Sequence, residues 1–461
     1  MKNDFRRKLI VLLILVTLIG GFLVISIVKN PSFIDRSYIL GDAQIIFILL
    51  AASVLMLSQL FIVFGLIFQN RNLKFASFAP SLNLDEETSI NSTPPVDASM
   101  NQESRFFMLS SIDQKASVYL DYEYENDISL KDLCLEFQAF SAHELNLYYD
   151  IEDIRRFIGG IAVSQIMILQ GMSGTGKTSL AYAFGEYLSN SAVVVPIQPM
   201  WKERTDLIGY YNEFTKKFNE TTLFQKMYEA NYNDQIYITV LDEMNIARVE
   251  YYFAEFLSLL ELPDHNKRYL DVISDVWTND PKRLSGGKLI LPKNMWFVGT
   301  ANNDDSTFAI SDKVYDRAMV INLDKKAVVF EGKQTNTRKL SASALIHLIK
   351  TAQKTYQLSQ RNLRRIKTLD KYLIHNFQIT FGNRIMQQIK NYVPVIVSSG
   401  GTELQAIDDI LSKKVLRKLE TKNRVYVKSA IPGLVAFIDE LFGEHEMLLC
   451  KEYIKKIEIN A

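Results

Sequence analysis

The stretch Gly171-Met172-Ser173-Gly174-Thr175-Gly176-Lys177-Thr178 fits the phosphate-binding pattern G-x-x-x-x-G-K-[ST] without a gap. The apolar run at 166–169 predicts a short buried strand before it, and residues 179–184 predict the opening of a helix after it. In that context the glycines let backbone N–H groups turn toward phosphate oxygens, and the helix N-terminus adds a partial positive charge. A plain Gly/Ser-rich turn is the alternative, which the complete motif disfavours.

The loop predicts which residues hold the phosphates. We expect Lys177 to reach the β- and γ-phosphates and the Thr178 hydroxyl to bind Mg²⁺. The predicted nucleotide contacts in and next to the loop are Gly171, Ser173, Gly174, Thr175, Gly176, Lys177, Thr178 and Ser179.

A second β-rich apolar run, at 236–241, ends in Asp242-Glu243. Acidic residues at the carboxyl edge of a buried strand would lie beside the glycine loop in a parallel sheet. We expect Asp242 to hold Mg²⁺ through water and Glu243 to polarise the attacking water. A solvated acidic turn is the alternative, and the matching loop upstream favours the metal site.

Two further side chains complete the predicted hydrolytic site. Asn302 follows a third apolar strand and is expected to hold the lytic water, with a turn-forming asparagine as the alternative. Arg317 falls where a helix would end before a fourth strand, and a guanidinium there can reach the γ-phosphate of a neighbouring subunit. Its alternative is a structural ion pair with Asp312 or Asp316.

The order of these motifs resembles the AAA+ ATPases, in the branch that contains McrB-like and MoxR-like proteins. The motifs are the glycine loop, LDEMN at 241–245, GTANN at 299–303 and DKVYDRA at 312–318. The resemblance covers roughly residues 133–419. It implies an α/β P-loop NTPase fold with a parallel sheet and a helical lid, ATP and Mg²⁺ as cofactors, and a homo-oligomeric ring, predicted to be a hexamer.

The resemblance extends to two other segments. Phe381-Gly382-Asn383-Arg384 is similar to the lid motif whose arginine contacts the bound nucleotide in the same chain, which implies that role for Arg384. The insertion between Leu262 and Lys293, with its Gly286-Gly287 turn, resembles a β-hairpin of this branch. McrB itself uses GTP, but residues 302–307 match its relatives only in part, so ATP is the expected nucleotide.

The N-terminal part has a different character. The runs at 9–28 and 45–68 are almost entirely apolar and long enough to cross a bilayer as helices. A signal peptide and a buried core helix are the respective alternatives. Basic residues at 6–8 precede the first run and Arg71 and Lys74 follow the second, so both termini and the nucleotide-binding part are expected on the cytoplasmic side of a membrane.

The predicted organisation has five parts. They are a transmembrane hairpin (1–74), a flexible linker rich in Ser, Asn, Pro and acidic residues (75–104), a helical lead-in (105–160), the α/β core (161–325) and a helical lid and C-terminal region (326–461). In the last part we expect a turn at Gly400-Gly401 and a break at Pro432-Gly433.

Composition narrows the function classes. Lys+Arg and Asp+Glu both number 52, which argues against a dominant nucleic-acid-binding surface. A run of basic residues at 361–367 could still touch phosphate, although such a run is usually a solvated face. Cys134 and Cys450 lack metal-ligand spacing, so neither a zinc site nor a disulfide framework is indicated.

Two functions fit these predictions. The first is a membrane-anchored ATPase ring that remodels or controls a protein partner, in defence against foreign DNA if it works like McrB-like relatives with a separate nuclease. The second is a nucleotide-dependent membrane scaffold or switch that recruits an effector and has little motor activity. Residues Trp201, Lys202, Tyr210 and Tyr211 are candidates for the inner surface of the ring, with core or interface packing as the alternative.

Overall fold

A computed structural model describes residues 104–120, 122–302, 307–325 and 327–460. The two predicted membrane spans, and all but the last residue of the predicted linker, lie outside these ranges. Among the residues that are described, no helix combines the length and the apolar character needed to cross a bilayer.

The central element is a five-stranded parallel sheet. Its strands are β1 (Ile166–Gly171), β2 (Val193–Pro196), β5 (Tyr237–Asp242), β9 (Met295–Asn302) and β10 (Met319–Asn322). They lie in the order β10-β1-β9-β5-β2. The residues of β1 alternate between two hydrophobic clusters, since Met167 and Leu169 join one and Ile166 and Ile168 join the other. Burial on both faces explains why this strand reads as a continuous apolar run.

Helices precede and connect the strands. Before the sheet lie α1 (Phe107–Gln114), α2 (Ala116–Leu120), α3 (Leu130–Leu145) and α4 (Ile151–Val163). Within it lie α5 (Lys177–Tyr187), α6 (Thr205–Ile208), α7 (Thr222–Glu229), α8 (Val249–Tyr252), α9 (Ala254–Glu261) and α10 (Asp312–Tyr315). Leu180 and Phe184 of α5 pack on one face of the sheet, and Phe224 of α7 and Phe256 of α9 belong to the cluster on the other. The sheet is therefore a middle layer between helices.

Two small antiparallel sheets are inserted in this core. Strands β3 (Gly209–Asn212) and β4 (Lys217–Glu220) form a hairpin, and β6 (Tyr269–Asp271), β8 (Lys288–Ile290) and β7 (Leu284–Ser285) form a second sheet. The turn between β7 and β8 is made by Gly286 and Gly287, with φ of 59° and 76°. Positive φ at both positions is what a tight hairpin turn requires, so the predicted hairpin is present.

The C-terminal region is helical, as predicted. Its elements are α11 (Ala342–Thr355), α12 (Gln360–Phe377), α13 (Gly382–Ser398), α14 (Glu403–Ile410), a π-helical segment (Leu411–Val415), a 3₁₀ segment (Leu416–Thr421), α15 (Arg424–Phe442) and α16 (Leu448–Asn460). The turn at Gly400-Gly401 separates α13 from α14, and Gly400 has φ of 95°.

The predicted break at Pro432-Gly433 is wrong, because α15 runs through both residues. A proline inside a helix costs about 3 kcal/mol. Burial of a large apolar side chain returns about 1.5–3 kcal/mol. The helix buries five apolar side chains, Val427, Ile431, Leu434, Ile438 and Phe442, and this packing outweighs the proline.

Candidate nucleotide-hydrolysis site

The phosphate loop joins β1 to α5 through glycines that no other residue could replace without strain. Gly171, Gly174 and Gly176 have φ of 148°, 76° and 87°. A Cβ on Gly171 would lie 2.4 Å from the carbonyl oxygen of Leu323, so the loop is pinned against the end of β10. Gly176 caps the N-terminus of α5, whose first N–H groups have no partner within the helix. These features fit the binding of a polyphosphate.

Lys177 lies inside this loop. Its Nζ donates to the carbonyl oxygens of Gly171 at 3.1 Å and Met172 at 2.6 Å, and the residue is buried. Tyr149 supports the loop from the lead-in, because its hydroxyl donates to the carbonyl of Gly176 at 3.1 Å. Burial raises the pKa of Tyr149, which keeps this hydroxyl protonated as a donor. The lead-in is therefore part of the site.

The two predicted magnesium ligands meet at the carboxyl edge of the sheet. The Thr178 hydroxyl donates to Oδ1 of Asp242 at 2.7 Å, and the Thr300 hydroxyl donates to the same oxygen at 2.9 Å. Hydroxyl and carboxylate oxygens are the ligands that Mg²⁺ prefers. The donor set at Thr178 and Asp242 therefore fits the ion that accompanies a nucleoside triphosphate.

Glu243 follows Asp242 in an unusual backbone conformation. It has φ of 51° and ψ of 47°, starts the 3₁₀ turn Met244–Ile246, and is exposed. Its N–H donates to the Thr300 hydroxyl at 2.9 Å. Left-handed conformations of residues other than glycine cost about 1–3 kcal/mol and concentrate at functional sites. The Thr300 hydroxyl thus contacts both acidic residues: it binds the side chain of Asp242 and the backbone N–H of Glu243.

Asn302 is the last residue of β9 and lies opposite Gly171 in the register of β1 and β9. The structure therefore brings it next to the first residue of the phosphate loop. Asn245 secures this strand end: its Nδ2 donates to the carbonyl of Asn302 at 3.1 Å and to the Thr307 hydroxyl at 2.9 Å. One amide side chain thereby ties β9 to the segment that follows it.

Arg317 lies at the opposite edge of the sheet. It precedes β10, and its carbonyl accepts a hydrogen bond from the hydroxyl of Ser164, a residue before β1, at 3.0 Å. Its Nη2 pairs with Oε2 of Glu261 at 2.6 Å, and its Nη1 donates to the carbonyl of Lys313 at 3.1 Å. The alternative partner Asp312 pairs with Arg417 instead.

Arg384, at the start of α13, pairs with the other oxygen of the same Glu261 carboxylate. The structure does not bring it to the phosphate loop, which differs from the contact within one chain that the sequence predicted. The physical reason is that α13 packs against α4 and α11, and its N-terminus ends beside α9 at the amino edge of the sheet. Arg317 and Arg384 thus form a pair around Glu261.

A cavity of about 1160 Å³ opens beside this pair. Among the described residues that line it, the positively charged or titratable side chains are Arg268, His265, Lys293, Arg317, His347, Lys350 and Arg384, and Glu261 is the single carboxylate. Burial lowers the pKa of His265, and Arg268 and Lys293 lower it further, so the imidazole adds no charge at neutral pH. The excess of positive charge suits an anionic ligand.

Sequence reasoning missed three residues of these arrangements: Thr300, Asn245 and Glu261. Thr300 and Asn245 stand inside motifs that were recognised, and a polar residue within three positions of a strand end was the available signal. Glu261 had no signal, since its role depends on two arginines 56 and 123 positions later in the chain.

Comparison with known families agrees with this geometry. Residues 166–318 match the family model of an AAA domain (dynein-related subfamily), a range that begins with β1 and ends just before β10. Residues 334–459 match a domain of unknown function (DUF8727), which comprises α11 to α16. No curated protein matches the chain. The chain therefore contains an AAA domain similar to those of the dynein-related subfamily, with the P-loop nucleoside triphosphatase fold and a helical C-terminal part.

Proposed function

We propose that the protein hydrolyses ATP at a site shared between two copies of the chain, and that it uses this reaction to remodel or control a protein partner. The AAA domain supports a general ATPase function. The single observation that carries the shared site is the position of Arg317 at the edge of the sheet opposite the phosphate loop.

The strand register gives the distance involved. Met319 of β10 pairs with Met167 of β1, and Arg317 lies two residues before Met319 while Gly171 lies four residues after Met167. At about 3.3 Å per residue the two positions are about 20 Å apart along the strands. A side chain cannot bridge that distance, so Arg317 can serve a phosphate only if the phosphate belongs to another copy.

Arg384 fits the same arrangement. It shares Glu261 with Arg317 and lines the same basic cavity, so we propose that both guanidinium groups face the nucleotide of the neighbouring subunit. Two guanidinium groups at the γ-phosphate would stabilise the charge that develops during transfer. Head-to-tail contacts of this kind close into a ring when the rotation between copies permits it.

The residues that would bind the metal ion and activate the water all belong to the chain that binds the nucleotide. Thr178 and Asp242 would hold Mg²⁺, which neutralises phosphate charge when bound. Glu243 would accept a proton from the attacking water, and Asn302 would orient that water. Thr300 keeps Asp242 and Glu243 in fixed relation through its two hydrogen bonds.

Exposed aromatic side chains on the β3–β4 hairpin support the proposal that the protein contacts a partner. Phe214, in its turn, is 99% exposed, and Tyr210 on β3 is 53% exposed. Trp201, in contrast, packs on Tyr252 with ring centroids 5.9 Å apart, which favours the packing alternative for that residue.

Membrane anchoring through residues 9–28 and 45–68 remains part of the proposal on the strength of the sequence, and resistance of the full chain to alkaline extraction from membranes would test it.

The direct test is Arg317→Ala. We expect turnover to fall by about 10³-fold or more, the range of arginine fingers, while binding of a fluorescent ATP analogue changes little because the loop is intact. Lys313→Ala, an exposed change four residues earlier, is the matched control and should keep wild-type turnover. Undiminished turnover in Arg317→Ala would overturn the shared site. Slow wild-type turnover with ATP-dependent assembly would instead support the scaffold alternative.

A further inference from the structure

The segment that carries Arg317 is held by its carbonyl groups. The carbonyl of Asp316 accepts from Nε2 of Gln388 at 3.3 Å, and that of Arg317 accepts from the Ser164 hydroxyl at 3.0 Å. The carbonyls of Tyr315 and Ala318 both accept from Nζ of Lys414, at 2.5 Å for Tyr315. Four consecutive carbonyls, 315–318, are therefore fixed by side chains from outside the segment.

Lys414 is an unusual residue for this task. It is 3% exposed and lies in the π-helical segment Leu411–Val415, about a hundred positions after the segment that it holds. Single π-helical turns are rare and are frequent at functional sites. A buried ammonium group is costly unless it is hydrogen-bonded, so its two carbonyl partners are structurally significant.

We propose that Lys414 is a positioning residue for hydrolysis in the neighbouring subunit, because it fixes the backbone from which Arg317 projects. Gln388 assists it from α13, the helix that also carries Arg384. The C-terminal helical region thereby sets the placement of both guanidinium groups. This inference rests on the proposed function, in which Arg317 acts on the nucleotide of the neighbouring subunit.

The surroundings of Arg317 explain why its backbone matters. Its Nε is buried and makes no hydrogen bond within the described part of the chain. The rest of the guanidinium is held by Glu261 and by the carbonyl of Lys313 in α10, the short helix that ends two residues before Arg317. Movement of that helix would therefore move the guanidinium with it. A misplacement of about 1 Å at a reacting centre can cost on the order of a hundredfold in rate.

The surroundings of Lys414 lower the pKa of its amino group. Burial lowers the pKa of Lys414 from 10.5 to about 7; Asp316 opposes this shift, and Arg417, Arg384 and Lys418 add to it. An amino group with a pKa near neutrality still donates two hydrogen bonds in either protonation state. Its hold on the two carbonyls therefore does not depend on carrying the charge.

The test begins with Lys414→Met, which keeps the volume of the side chain and removes both hydrogen bonds. We expect kcat to fall about ten- to hundredfold, with less than about a twofold change in ATP affinity, since the variant's own phosphate loop is untouched. Lys418→Met, which removes a nearby charge without touching the segment, is the matched control and should keep wild-type kcat. Wild-type kcat in Lys414→Met would overturn the proposal.

A complementation experiment separates a positioning role from a general structural defect. Lys414→Met subunits keep an intact Glu243 but present a displaced Arg317, whereas Glu243→Gln subunits do the reverse. Mixed rings should therefore regain activity, because about one site in four pairs the good half of each variant in a random 1:1 mixture. No recovery would show that the Lys414→Met subunit is damaged in its own site and would overturn the inference.

Further variants distinguish an incorrect role of Lys414 from an incorrect role of Arg317. In the double variant Arg317→Ala/Lys414→Met, turnover should be no lower than in Arg317→Ala alone, because Lys414 acts through Arg317. If Arg317→Ala is inactive but Lys414→Met subunits fail to complement, the shared site stands and the role of Lys414 falls. If Lys414→Met does not fold, Gln388→Met, which removes one hydrogen bond to the same segment, should show the same pattern with a smaller loss; unchanged kcat there would count against the proposal.

Discussion

Replacement of Thr300 by valine would test how much the fixed positions of Asp242 and Glu243 contribute to hydrolysis. Valine has nearly the shape of threonine, so the change removes the hydroxyl and leaves the packing of β9 intact. Two hydrogen bonds are lost, one donated to the Asp242 carboxylate at 2.9 Å and one accepted from the N–H of Glu243 at 2.9 Å. Thr300 is 2% exposed, so water cannot replace the hydroxyl without rearrangement.

The size of the effect follows from these two bonds. A hydrogen bond to a charged group contributes about 1.5–3 kcal/mol, and each 1.4 kcal/mol in a barrier is about a factor of ten in rate. We therefore expect kcat to fall about ten- to hundredfold and half-maximal activity to require more Mg²⁺, with nucleotide affinity at saturating Mg²⁺ nearly unchanged. Steady-state ATP hydrolysis measured across a Mg²⁺ titration provides both quantities.

The chain offers a matched control for this experiment. Thr239 lies in β5, three residues before Asp242, and is fully buried, but its hydroxyl makes no hydrogen bond within the described residues. Thr239→Val is the same chemical change in the strand that carries the metal ligand, and should leave kcat unaltered and stability equal or higher. Wild-type kcat and Mg²⁺ dependence in Thr300→Val, or an equal loss of activity in both variants, would refute this role of Thr300.

Two further predictions concern the water-polarising residue and the pH dependence of stability. Glu243→Gln should retain bound ATP through gel filtration, because the variant still binds ATP but cannot accept the proton of the attacking water. Hydrolysis of the bound ATP at the wild-type rate would argue against the role of Glu243. Lys414 has a folded-state pKa of about 7 against 10.5, so between these values the unfolded chain takes up a proton that the folded chain does not. Its contribution to stability is therefore fully present above about pH 10.5 and is lost as pH falls toward 7. The difference in unfolding free energy between wild type and Lys414→Met should thus rise from pH 7 to pH 10 in denaturant titrations, and a flat difference would contradict the shifted pKa.

The phosphate loop and the acidic pair were predictable because local spacing determines both. A strand, a glycine loop and a helix follow each other within about twenty residues, and parallel strands bring their carboxyl ends to one edge. Asn302 follows from the same rule, and its place opposite Gly171 needs only the strand order.

The amino edge of the sheet was less accessible to sequence reasoning. Arg317 was placed correctly between a helix and a strand, but its partner Glu261 comes from α9 and could not be foreseen. The location of Arg384 depends on how α13 packs, and a short motif carries no information on that packing. Pro432 shows the same limit, since the apolar face of α15 outweighs a local helix breaker.

Restoration of activity between Arg317→Ala and Glu243→Gln subunits tests the shared site most directly. Each variant alone should be inactive, one for lack of a guanidinium group at its neighbour's nucleotide and the other for lack of a base. Mixed rings should recover about a quarter of wild-type turnover at a 1:1 ratio, since one interface in four combines an intact Glu243 with an intact Arg317 from the neighbour. Mixtures that stay as inactive as the separate variants would contradict a site completed between two copies of the chain.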